Sequence, residues 1–149
     1  MKLQNIVMST RVAKSGMTVR EVFRECVDRN VPGIPYQDHH GRITGRVSVR
    51  HTLKMTCLPD YMVAHAHLLG DEVQRLIIPE ARALRVLESK VDAFVLQRMA
   101  TINSQSPVVK AMAIMEELGT GYIFVMDGEE YRGVVTRLGI AKRMLELKA

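Results

Sequence analysis

The sequence predicts an α+β protein in which one small βαββα unit is used twice, with a helical insertion between the copies. Three observations carry this. The block from Gly33 to Lys54 recurs from Gly121 to Lys142 at an offset of 88. In each block two glycines stand twelve residues apart, Gly33 with Gly45 and Gly121 with Gly133, and a hydroxyl follows three residues later at Ser48 and Thr136. Ahead of each block lies a stretch with helical apolar spacing. A duplicated unit of this size points to a binding cleft between the copies.

The elements follow in order. Met8-Ser-Thr10 precedes residues suited to a short edge strand. Thr18-Val-Arg-Glu21 reads as a capping box, the Thr hydroxyl and Glu carboxylate satisfying free amides at a helix start. Val19, Val22, Phe23, Cys26 and Val27 then give one apolar face, up to the break at Asn30-Val-Pro-Gly33. Strands are expected near 34–37 and 43–49, joined by a glycine-containing turn. A helix from His51 to Cys57 closes the copy at Pro59.

In the second copy, Met99-Ala-Thr101 opens as Met8-Ser-Thr10 does. Ser106 reads as an N-cap with Pro107 at the first helical position, where its missing N–H costs nothing. Val108, Ala111, Met112 and Met115 form the buried stripe, at an offset of 88 or 89, and the turn before Gly121 is expected to be one residue shorter. Strands near 122–126 and 131–136 and a helix from Leu138 to Leu147 complete the copy.

These elements divide the chain into a first motif at 1–57, an insertion at 58–94 and a second motif at 95–149. The insertion predicts helices at Tyr61–Leu69, Glu72–Ile77 and Pro79–Val91. Its apolar residues Leu68, Leu69, Val73, Leu76, Ile77, Leu84, Val86 and Leu87 require burial, and a dimer interface is one candidate cover.

Bulk properties narrow the function. At 149 residues, halves of this size bury little alone, so they are expected to pack on one another. A composition of 47% apolar and 25% charged residues fits a folded protein and excludes disorder. No apolar run reaches the roughly 18 residues of a membrane span, and the start lacks a secretion signal, so a cytoplasmic protein without membrane contact is expected. Cys26 and Cys57 have neither metal spacing nor disulfide density and read as reduced thiols. The net charge of +5 attracts anions of any kind. With 5% aromatic residues, no Trp and no recognition motif, nucleic acid ranks last among the partners.

The pieces Thr18-Val-Arg-Glu-Val, Gly33-Ile-Pro35 with Gly45-Arg-Val-Ser48, and Gly121-Tyr-Ile123 with Gly133-Val-Val-Thr136 together resemble a tandem CBS-domain pair, the Bateman module. The resemblance implies a regulatory, non-catalytic protein that binds an adenosine-containing ligand between its copies and pairs as a homodimer. It implies ligand contacts from Thr10, Gly33, Ile34 and Pro35 in the first copy and from Thr101, Gly121, Tyr122 and Ile123 in the second. Ser48 and Thr136 match the hydroxyl that meets phosphate in this family. The Asp that holds ribose three residues later is replaced by His51 and Gly139.

The residues themselves point to an anion. Arg46 alternates onto the strand face of Ser48, and Arg50 and His51 open the next helix. Cations beside the free amides of a first turn favour phosphate. In the second copy Arg137 adjoins Thr136, Arg132 precedes the strand, and Gly139 leaves room. Against this, Ser48 and Thr136 also fit plain helix caps, and surface arginines are commonly solvated.

The sequence holds no nucleophile elbow, phosphate-cradling loop, zinc tetrad or carboxylate pair, so no enzyme, metal or required cofactor is expected. On a helix His65 and His67 point about 200° apart, which sets them against joint metal binding. Met55, Met62, Met144 and Tyr61 are interface candidates, whereas Met112 and Met115 read as core. The reading is a regulatory module that senses an adenine nucleotide of the AMP, ADP or ATP type, or a related anionic adenosine ligand, and signals to an unidentified regulated protein. The alternative is a ligand-free scaffold for protein interaction or oligomerisation.

Overall fold

The computed structural model describes residues 1–70 and 78–148. The first motif runs β1 (Ala13–Lys14), α1 (Val19–Arg29), β2 (Gly33–Gln37), β3 (Ile43–Ser48) and α2 (Val49–Cys57). Then come α3 (Asp60–Ala64), a 3₁₀ turn at Ala66–Leu68, α4 (Glu80–Glu88) and a 3₁₀ turn at Val91–Phe94. The second motif is β4 (Thr101–Ile102), α5 (Val108–Leu118), β5 (Tyr122–Asp127), β6 (Glu130–Thr136) and α6 (Arg137–Leu145). Each sheet has three strands, the first pair parallel and the second antiparallel.

The capping box forms as expected. The Thr18 side chain accepts from the Glu21 N–H, and the Glu21 carboxylate accepts from the Thr18 N–H. Of the predicted stripe, Val19, Val22 and Cys26 are buried and Phe23 is half-buried, but Val27 is 75% exposed and faces the cleft between motifs. In α5 the predicted Ser106 cap gives way to Pro107, which holds the N-cap position without any side-chain bond, so the helix starts at Val108. Met112 is 40% exposed, not core, whereas Val108, Ala111 and Met115 are buried.

The repeat register differs from the constant offset in the sequence. In the hairpins Gly33 pairs with Ser48 and Tyr122 pairs with Thr136, so Tyr122, not Gly121, holds the place of Gly33. The first helices and first hairpin arms correspond at an offset of 89, and the second arms and closing helices at 88. The missing residue lies in the hairpin turn, between Gln37↔Ile43 and Met126↔Tyr131, rather than before Gly121. The near-match of Gly33 with Gly121 hid the shift, because strand hydrogen bonding, not residue identity, defines equivalence.

Each motif also finishes the other. The N-terminal residues Leu3 and Ile6 are buried in the second core with Ile102, Met115 and Ile123, and Met8 pairs with Val134. Val91, from the turn before the second motif, is buried in the first core, and Leu96 pairs with Arg46. Met8 with Val134 and Leu96 with Arg46 are equivalent pairs exchanged between motifs. Glycine makes both possible: a Cβ on Gly45 would lie 2.5 Å from the Leu96 carbonyl oxygen, and one on Gly133 would overlap that of Met8. Tyr122, Phe124 and Val134 join the first core while Ile123, Val125 and Val135 fill the second. Both faces of the β5–β6 hairpin are therefore covered, which is why β5 reads as a continuous apolar run from Tyr122 to Met126.

In the insertion, α4 lies against α1, with Arg20 bridging to Glu88 at 2.7 Å and Val86 and Leu87 packed on the first core. The expected helix Tyr61–Leu69 breaks into α3 and a 3₁₀ turn, and Pro79–Val91 ends at Glu88. Leu68, Leu69 and Leu84 remain exposed. The helix predicted at Glu72–Ile77, with Val73, Leu76 and Ile77, lies outside the described residues. Cys26 is buried, and that burial pushes its thiol up to about 12, Glu25 adding to the effect, so it packs as an inert core residue.

Candidate functional site

The two hairpins end beside one another and start α2 and α6. Ser48 accepts from the His51 N–H at 3.0 Å, and Thr136 accepts from the Gly139 N–H at 2.8 Å. Both hydroxyls are buried and cap their helices, each worth about 1 kcal/mol to the helix start. A capping hydroxyl uses a lone pair and keeps its proton, so it can still donate to an oxyanion.

Arg46 reaches from β3 across to the second motif. Its Nε donates to the Arg98 carbonyl at 2.8 Å, its Nη1 donates to the Tyr122 hydroxyl, and its guanidinium carbon lies 5.5 Å from the Tyr122 ring centroid. The Tyr122 hydroxyl in turn lies over Gly33, where a Cβ would approach it to 2.9 Å, and faces Ser48. Burial pushes the phenol above its ordinary range, while Arg46 pulls it back. Phe124 stacks edge-on to Tyr122 at 5.5 Å and to Tyr131 at 6.1 Å.

Two cavities flank this contact. One, of about 380 Å³, is lined by Arg46 together with Arg98, Ala100, Thr120, Tyr122 and Phe124 of the second motif. The other, of about 690 Å³, brings Val27, Val49 and Arg50 together with Gly121, Thr136 and Arg137. Each carries apolar walls with arginine, a combination that suits a flat apolar group bearing an anion. Arg98, Thr120 and Phe124 did not emerge from the sequence, because only the strand register and the exchange of segments bring them to the cleft.

Of the predicted residues, Arg46 and Tyr122 line the smaller cavity, and Arg50, Gly121, Thr136 and Arg137 the larger. Ile34 and Ile123 are fully buried in the two cores, and Gly33 and Pro35 are buried in β2. Thr10 is bonded to the Tyr131 hydroxyl at 2.6 Å, and Thr101 is exposed in β4. At Gly139 a Cβ would stand 3.1 Å from the Thr136 hydroxyl and 3.7 Å from Ile6, so the space there is narrower than its lack of a side chain implies.

The charges are unequal. Arg132 is tied to Asp127 at 3.0 Å and to Glu130 at 3.3 Å, and Arg137 to Glu116 at 3.1 Å. The first motif groups Arg46, Arg50, Lys54 and His51, and among the described residues no acidic group bridges them. Partial burial, followed by the charges of Lys54, Arg46 and Arg50, holds His51 below the usual imidazole range. Among the described residues no group of three or more His, Cys, Asp or Glu side chains is placed to hold a metal ion, and no helix is long and apolar enough to cross a membrane. His65 and His67 are exposed, flanking and inside the 3₁₀ turn.

The family model for the CBS domain matches residues 82–146. The whole fold is similar to that of a CBS domain-containing protein of unknown function from Bacillus anthracis, at TM-score 0.64 and 17% identity over 99% of this chain and 95% of that one. A second such protein, from Kribbella flavida, aligns at 0.64 and 17% identity over 97% of this chain and 99% of its own. The CBS domain pair of protein MJ0100, in complex with 5′-methylthioadenosine and S-adenosyl-L-methionine, aligns at 0.63 and 15% identity over 99% of this chain and 98% of that one. No curated protein matches the chain in sequence.

Proposed function

We propose that this chain, whose residues 82–146 match the CBS-domain family model within the fold of a CBS-domain pair, is a regulatory, ligand-sensing module. It takes an adenine nucleotide of the AMP, ADP or ATP type, or a related anionic adenosine ligand, between its motifs and passes its occupancy to a partner protein. The observation that carries this reading is the cleft itself, where Arg46 and Arg50 of the first motif meet Arg98, Tyr122 and Thr136 of the second. The adenosine ligands of the MJ0100 pair favour an adenosine body, and the arginines favour an anionic end. A ligand touching both motifs shifts any equilibrium in their closure, and a partner that prefers one state reads it.

Thermal stabilisation across AMP, ADP, ATP, S-adenosylmethionine and adenosine tests this. A ligand of the folded state adds about 2.7 kcal/mol at a hundredfold excess over Kd. A saturable shift selective for phosphate-bearing ligands, diminished in Arg50→Ala, is the expected result. A flat response moves the reading to a ligand-free scaffold, which the satisfied Arg46 and the missing ribose-holding Asp favour. In either case the exposed Leu53 and Met55 on α2 and Leu138, Met144 and Leu145 on α6 support a homodimer, which sedimentation would detect.

The depressed His51 gives binding a pH dependence. An anion at Arg50 offsets part of the positive charge that depresses His51, so its pKa rises, binding takes up protons and the complex tightens as pH falls. The window runs from the raised value in the complex down to the lowered value of the free chain, and affinity levels off below it. Calorimetry in buffers of different ionisation enthalpy is expected to show proton uptake, lost in His51→Gln. An affinity independent of pH would remove His51 from the site.

A further inference from the structure

The approximate twofold relation between motifs offers two hydroxyl positions, but what faces them differs. Tyr122 stands where the first motif has Gly33, since Gly33 pairs with Ser48 and Tyr122 pairs with Thr136. Glycine leaves a gap above its own strand. The Tyr122 side chain enters that gap, with its hydroxyl over Gly33, bonded by Arg46 and facing Ser48. The reverse does not happen: Gly33 sends no side chain toward Thr136, which opens on the larger cavity beside Gly121, Arg50 and Arg137. Ser48 lines neither cavity.

We propose that the chain holds one anion seat, at Thr136, because its own Tyr122 fills the equivalent seat at Ser48. This rests on the reading that the cleft takes an anionic ligand. The phenol oxygen of Tyr122 stands where a ligand oxygen would stand, and Arg46 is its internal donor. Tyr122 is thus a specificity-determining residue that turns a two-site architecture into a one-site protein.

Calorimetric titration with AMP tests it. The native chain is expected to bind one AMP, Thr136→Ala to weaken binding about tenfold through loss of a charge-assisted bond, and Ser48→Ala to leave it within about twofold. Tyr122→Ala is expected to create a site that an added Ser48→Ala abolishes. Tyr122→Val, which places a strand-favouring β-branched residue there, serves if the alanine variant does not fold. Two sites in the native chain, or native binding as sensitive to Ser48 as to Thr136, overturns the proposal and leaves the anion-binding reading in place. Tyr122 variants that gain no Ser48-dependent site overturn the plug alone. AMP binding to the Tyr122 variants but not to the native chain overturns the seat at Thr136, and no binding to any of them overturns both readings.

Discussion

Gly133→Ala is expected to destabilise the protein by roughly 3 kcal/mol, lowering Tm by about 10 °C. Two costs combine. At φ 151° the backbone sits where an L side chain is strained, and the new methyl would overlap the Met8 carbonyl and lie 2.6 Å from a Val7 methyl. To escape, the N-terminal segment must lift off, breaking the Met8–Val134 pairing. Gly128→Ala is the control. Its φ is also positive, at 63°, but a Cβ there meets nothing within 4 Å, so only the conformational cost of about 1 kcal/mol remains. If both substitutions cost the same in a thermal melt, the close approach at Gly133 contributes nothing to stability.

The second large effect is at Leu3. Leu3 precedes the first motif's strands in sequence, yet it is 2% exposed in the core of the second motif. Leu3→Ala is expected to cost about 2–5 kcal/mol, as for other buried leucines. Leu145→Ala, at a position 87% exposed on α6, is expected to change stability by less than about 0.5 kcal/mol in the isolated chain. Urea unfolding decides: a lower midpoint at unchanged slope for Leu3→Ala reports lost packing, whereas equal midpoints for the two variants would show that the N-terminal segment does not hold the core.

Local signals in the sequence were reliable where a residue's role depends on its neighbours along the chain. Thr18 with Glu21 caps α1, and the hairpins run close to where glycine and β-branched residues place them. Ser48 and Thr136 stand at the ends of β3 and β6, as their spacing required. What failed was non-local. A single residue lost in a hairpin turn cannot be located by matching glycines, so Tyr122 was set beside Ile34 instead of Gly33. Val27 and Met112 fit a helical stripe but face away from the cores, because a period says which residues share a face and not how wide the covered part is. Arg46 was legible as a cation near Ser48. Its reach to Arg98 and Tyr122 was not, since those partners arrive only when the motifs close on each other.

The exchange of segments also sets a timetable. Residues near the start of the chain find their partner strand only at Val134, so during synthesis they wait until the second motif has been made. The first motif likewise lacks Val91 and Leu96 until translation has passed the insertion. Contacts this distant in sequence close slowly and late. The two motifs are therefore expected to mature together in one cooperative step, with neither half persisting as a folded intermediate.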